Sequence, residues 1–192
     1  FLSGNSVWGM VPLLPSAKGQ PHRVMHRAGK FLGEELSKML RKQKGWASTF
    51  PAGPDGALLM GGRTAGIGGG DWTCTKPDHW LDEGTGMKEG DKIKGLIGWE
   101  YHGSPIEGLP GMEIVAHGEI KAGKGKPKSP HVATFYNGPK GNVVFDAGSI
   151  WFAQGLSSPP GHVLPANGAA KPQGPDPRVQ RMMANVFDRF IK

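Results

Sequence analysis

Val132-Ala-Thr-Phe-Tyr136 and Asn142-Val-Val-Phe-Asp146, with Asn137-Gly-Pro-Lys-Gly141 between them, decide how this chain is read. Both flanks are short and apolar, rich in β-branched and aromatic residues. The middle carries Gly and Pro. That pattern predicts a β-hairpin. Upstream, Met112-Glu-Ile-Val-Ala-His-Gly-Glu-Ile120 alternates in part and predicts another strand. Downstream the chain closes on its clearest helix. Asp176 suits the N-cap and Pro177 the first helical position. Val179, Met182, Met183, Val186, Phe187, Phe190 and Ile191 then recur at helical spacing, while Arg178, Arg181, Asp188 and Arg189 mostly face away. Such a helix is expected to dock on a sheet.

Further from the hairpin, residues 28–43 predict an amphipathic helix. Phe31, Leu32, Leu36, Met39 and Leu40 lie on one face, and Lys30, Glu34, Lys38 and Arg41 on the other. Residues 45–111 read as a loop-rich insertion in which Leu58-Leu59-Met60 and Leu96-Ile97 form brief buried strands. Gly66-Ile-Gly-Gly-Gly-Asp71 has the wrong glycine spacing for a dinucleotide fingerprint, and no helix pattern follows it. It reads as close backbone packing or a flexible loop. Strands mixed with helices, ending strand–strand–helix, predict an α/β sandwich. The apolar start Phe1-Leu2 runs into a Gly4-Asn5 turn with neither an initiator Met nor a signal pattern, so it reads as a strand cut from a longer chain. Residues 1–192 are thus expected to be a single domain, or the C-terminal fragment of a larger α/β domain. The first half of the sheet would then precede residue 1.

Composition narrows the function classes. The chain's 192 residues can bury a real core. Gly (32) and Pro (17) are abundant enough to raise the question of disorder, but six Trp, eight Phe and clean apolar stripes argue for a folded domain with long loops. The single cysteine, Cys74, excludes an internal disulfide. No apolar run approaches the roughly 20 residues of a membrane-spanning helix, and no membrane partner is expected. The net charge of +7 invites a nucleic-acid reading. Its distribution argues against one. The Lys30–Lys44 segment is interleaved with Glu34 and Glu35, and Lys121-Ala-Gly-Lys-Gly-Lys-Pro-Lys128 lacks aromatic residues on which bases could stack.

Three clusters could carry chemistry. In Gly4-Asn5-Ser6-Val7-Trp8-Gly9, Asn5 could donate an amide N–H to a developing oxyanion, or simply hold a left-handed turn. Ser6 could instead be a nucleophile on an elbow. In Gly98-Trp99-Glu100-Tyr101-His102-Gly103, Glu100 could act as general base, the three polar residues could ligate a hard metal, or the stretch could be purely structural. In Trp72-Thr-Cys-Thr-Lys-Pro-Asp-His-Trp80, Cys74 and His79 suggest zinc or a Cys/His pair, but no second Cys supports zinc. A buried, inert thiol is the simpler reading. Trp72, Trp80, Trp99 and Trp151 could alternatively form the aromatic surface of a non-catalytic module that binds carbohydrate or protein.

Taken in order, Phe1-Leu-Ser-Gly-Asn-Ser-Val-Trp8, His79-Trp80 through Gly84-Thr-Gly86, and Gly95-Leu-Ile-Gly-Trp-Glu-Tyr-His-Gly103 resemble the C-terminal region of N,N-dimethylformamidase large-subunit-like proteins. Ala133-Thr-Phe-Tyr136, Val143-Val-Phe-Asp-Ala-Gly-Ser-Ile-Trp151 and Asp176-Pro-Arg-Val-Gln-Arg181 continue the likeness, with residues 9–57 outside it. The resemblance implies a three-layer α/β sandwich, flavodoxin-like and similar to class I glutamine amidotransferases. It also implies hydrolysis of small linear amides at a mononuclear iron whose tyrosine and glutamate ligands lie upstream of residue 1. Asn5 and Glu100 match the family's catalytic asparagine and glutamate. Phe135, Ser6 and His102 fall at expected substrate-pocket positions. The implied partners are a small amide, the remainder of the same protein, and a second copy or a small subunit. The family's formamidases tend to have glycine where this chain has Ser6, and a different pattern after the glutamate than Tyr101-His102.

Overall fold

The computed structural model describes residues 1–4, 6, 13–25, 56–121, 129–166 and 170–191. The expected helix over 28–43 lies outside them. The chain divides into two compact units, one of residues 7–56 and one of residues 1–6 with 57–192. In the smaller unit, β1 (Leu13–Leu14) pairs antiparallel with β2 (Val24–Met25).

The larger unit holds α1 (Ala57–Met60), β3 (Gly62–Ile67), β4 (Gly69–Cys74), the 3-10 turn η1 (Trp80–Asp82), β5 (Lys92–Ile97) and β6 (Glu100–Pro105). It continues with β7 (Glu113–Gly118), β8 (Ile120–Lys121), β9 (His131–Asn137), β10 (Val143–Asp146), η2 (Ile150–Gly155) and α2 (Pro177–Phe190). Six strands form a sheet in the order β10-β9-β7-β4-β5, with β8 also on β4, and β3 pairs with β6. Among the described residues, every pairing between these named strands is antiparallel. This overturns the expected flavodoxin-like, glutamine amidotransferase-like three-layer sandwich. That architecture needs parallel strands joined by helical crossovers, and the described residues form mostly antiparallel sheet instead.

The hairpin is as read. Val143 faces Asn137 and Asp146 faces Thr134 in the β9–β10 register. Residues 62–105, inside the interval expected to be loop-rich, carry four strands. Leu58–Met60, expected as a strand, belongs to α1. β4 pairs with β5, and β3 pairs with β6. Only Gly68 separates β3 from β4, and only Gly98-Trp99 separates β5 from β6. The four strands are therefore one long two-stranded ribbon, bent where it leaves the large sheet for a second layer. Gly68 N–H donates to the Trp99 carbonyl at 2.8 Å across the bend. A β-carbon at Gly68 would strike the Ile120 side chain, and one at Gly98 would strike the Trp151 ring. The glycine-rich stretch is a sheet corner.

Strand alternation assigns the faces of the large sheet. The Thr134 hydroxyl bonds the Met60 carbonyl and the Tyr136 hydroxyl bonds the Leu59 carbonyl, so α1 and the bent ribbon cover one face. Phe135 points the other way, edge-on to His79 and Trp80. There α2 buries Val179, Met182, Met183 and Val186, each contributing roughly 1.5–3 kcal/mol. Asp176 caps α2 through its bond from Arg178 N–H. The Asn185 amide reaches the carbonyls of Trp80, Leu81 and Glu83 and ties α2 to η1.

Candidate functional site

Glu100 is the first residue of β6, half-buried, directly after the ribbon bend. The bend is held by Ser149. Its hydroxyl accepts from Gly98 N–H at 3.0 Å and Trp151 N–H at 3.2 Å, and it lies 3.0 Å from the Leu96 and Gly98 carbonyls, to which it can donate. Trp151 N–H closes the arrangement on the Gly98 carbonyl at 2.7 Å.

The N-terminal residues come to the same place. Phe1 N donates to the Phe145 carbonyl at 2.7 Å, and Ala147 N donates to the Phe1 carbonyl at 2.8 Å. That is the pattern of a parallel pair centred on Asp146. Three residues further on, Gly4 lies against the Glu100–Tyr101 peptide so closely that a β-carbon would overlap the Glu100 carbonyl. Gly4 and Glu100 are therefore neighbours at the backbone. Asn5 itself lies outside the described residues. The Ser6 hydroxyl is 2.6 Å from that of Ser3, and among the described residues no histidine is hydrogen-bonded to it.

His102 is fully buried rather than open to a pocket. Its Nδ1 donates to Asp146 Oδ2 at 2.7 Å, and Asp146 Oδ1 accepts from Gly148 N–H at 2.9 Å. His102 N–H donates to the Gly148 carbonyl at 2.8 Å. Asp146, Ala147 and Ser149 are completely buried. Asp146-Ala-Gly-Ser149 is thus a brace that gathers the Phe1 segment, β6 and the end of β5. It also holds His131, whose Nε2 donates to the Ala147 carbonyl at 2.9 Å. Burial pushes the His131 imidazole down to about 4, and its bond to Ala147 offsets this in part.

Among the described residues, His102 Nε2 and Ser129 Oγ are buried without hydrogen-bond partners. They do not complete a Ser–His–Asp arrangement. Ser129 packs on Gly103 and accepts from the Tyr101 hydroxyl through its carbonyl, which is the face of β6 opposite His102.

The other expected site residues are elsewhere. Phe135 is in the core on the far face of the sheet. Cys74 is buried, and its thiol is pushed up to about 11 by burial first and then by Asp82. His79 Nδ1 accepts from Leu81 N–H as the cap of η1. Trp72 and Trp151 are buried, Trp80 packs under Arg189, and Trp99 is exposed. These four do not make one aromatic face. Among the described residues, no three His, Cys, Asp or Glu side chains could hold a metal ion together, and the resemblance places the iron's ligands outside this chain.

Asp146, Ser149 and the bend at Gly98 were not singled out from the sequence. Their one signal was the run of small residues directly after an apolar strand, within the stretch that carries the resemblance.

The family model described as N,N-dimethylformamidase beta subunit-like, C-terminal, matches residues 1–168. The match spans the Gly4-Asn5 turn, Glu100 and the Asp146–Ser149 brace, and ends before α2. Among curated proteins no match is found. With most of its length matched, this chain belongs to the N,N-dimethylformamidase beta subunit-like, C-terminal family.

Proposed function

We propose that this domain serves a hydrolase that cleaves the C–N bond of small linear amides. Glu100 takes the proton from the attacking water and returns it to the leaving amine. Asn5 donates its side-chain amide to the oxyanion of the tetrahedral intermediate, and Ser6 lines the substrate beside it. The observation that carries this reading is the approach of Gly4 to the Glu100 carbonyl. It brings the residue before Asn5 to the strand position of Glu100, which supports the reading. Family membership supports the same reading.

The iron implied by the resemblance would take its ligands from outside this chain, and no step assigned to these residues passes through it. The exposed side chain of Ile67, paired with Glu100 in the β3–β6 register, offers apolar surface on the same face as the carboxylate. Such surface suits alkyl groups on a small amide nitrogen.

The test is amine release from N,N-dimethylformamide by the assembled protein carrying this domain. Glu100→Gln should lower kcat on the order of 100-fold while metal content stays at the wild-type level. Full activity in that variant would remove Glu100 from the reaction.

A further inference from the structure

We infer that the buried His102–Asp146 pair is a positioning pair that holds Glu100 against Gly4, the residue before Asn5. This rests on the general-base reading of Glu100.

The connections form a closed ring. Glu100 and His102 are two residues apart on β6, so they share a face and sit about 7 Å apart along the strand. His102 is fixed to Asp146 through its ring. The residues on either side of Asp146 bond Phe1, through the Phe145 carbonyl and Ala147 N–H. From Phe1 the chain needs three residues to reach Gly4, which packs back on the Glu100 carbonyl. Asp146 is where the two arms meet. Its side chain sets β6, and its backbone neighbours set the N-terminal segment. A displacement of the His102 ring therefore moves one arm and leaves the other.

The chemistry of the pair makes it sensitive. Asp146 offers one oxygen to His102 Nδ1–H and the other to Gly148 N–H. Neither donor can turn to water, because both side chains of the pair are completely buried. In Asp146→Asn, one of the two acceptors becomes an amide NH2, which faces a donor. The ring must then switch tautomer or shift. In His102→Asn, the amide nitrogen takes the place of Nδ1 and its N–H can still reach Asp146. In His102→Leu, none can.

Two readouts on the assembled protein test this: backbone hydrogen–deuterium exchange, and hydrolysis of N,N-dimethylformamide. In D146N and H102L, exchange should quicken about tenfold or more in residues 1–6 and 98–105, with α2 unchanged. kcat should fall about tenfold or more, with KM within about twofold of wild type. H102N should recover most of the loss seen in H102L in both readouts. The inference is overturned if exchange in those two segments is unchanged, if it rises equally in α2, or if H102N is as impaired as H102L. If D146N does not fold, the comparison of H102N with H102L decides. E100Q separates the two claims. Should E100Q keep full amide activity, the general-base reading falls, and the exchange pattern alone decides the positioning role.

Discussion

One glycine and one thiol make sharp predictions at the scale of single residues. Gly4 has no room for a β-carbon, because the Glu100 carbonyl occupies that space. Gly4→Ala should therefore push the N-terminal segment away from β6. If the two arms form the site, amide turnover should fall on the order of 100-fold with the melting temperature nearly unchanged. A large drop in melting temperature with normal specific activity would make the contact a matter of packing alone. Cys74 is buried, and its thiol is pushed up to about 11. Iodoacetamide at pH 8 should leave it unmodified in the folded protein and alkylate it readily in denaturant. Rapid alkylation of native protein would reopen the thiol-nucleophile reading. The sequence draws attention to Glu100 because a carboxylate between glycines after an apolar strand is unusual. It draws none to Asp146, because an acidic residue at a strand end just ahead of Ala-Gly is what an ordinary turn looks like. Only the fold brings it to His102, 44 residues away in the chain.

Among the elements, legibility followed side-chain content. The β9–β10 hairpin and α2 carry periodic apolar residues and were readable with their caps. β3 and β4 read Gly-Arg-Thr-Ala-Gly-Ile and Gly-Gly-Asp-Trp-Thr-Cys. Glycine is a poor strand former, and its stretches carry little alternation to count. The corner needs Gly68, Gly69 and Gly70 because neighbouring backbone and side chains fill the places of their β-carbons, and that demand hid the strands. Reading this stretch as loop left the helices as the main pattern and produced the α/β expectation. Docking of α2 can be tested through Asn185, whose amide serves three carbonyls of η1 and its exit. Asn185→Ala should cost about 1–3 kcal/mol by urea unfolding, and Asn185→Asp a similar amount or more, because a carboxylate cannot donate to carbonyls. No change in either variant would mean that α2 is held by its apolar face alone.

For the molecule as a whole, two buried titrating groups pull stability in opposite directions over the same pH range. Burial pushes the Asp82 carboxyl up to about 6, with a bond from Cys74 acting weakly against it. Its folded pKa exceeds its unfolded value near 3.8, so its contribution is present below about pH 4 and lost as pH rises through 6. Burial pushes the His131 imidazole down to about 4 from 6.5. Its contribution is present above pH 6.5 and lost as pH falls toward 4. Each is on the order of 2 kcal/mol across the window, so they nearly cancel. His79 is also lowered by burial, which tips the balance slightly against acid. Asp176, held low by Arg178, loses its contribution only below about pH 4. Wild-type stability by urea unfolding should therefore change little between pH 4 and 6.5, with a slight decline toward acid. Asp82→Asn removes one side of the balance, and its stability should fall by about 2 kcal/mol from pH 7 to pH 4. His131→Gln removes the other, and its stability should fall by a similar amount as pH rises from 4 to 7. If Asp82→Asn shows the same slope as wild type, the Asp82 carboxyl is not held protonated by the fold. If His131→Gln alone matches wild type, the imidazole is not held neutral, and the brace around Ala147 accommodates a charge that its burial argues against.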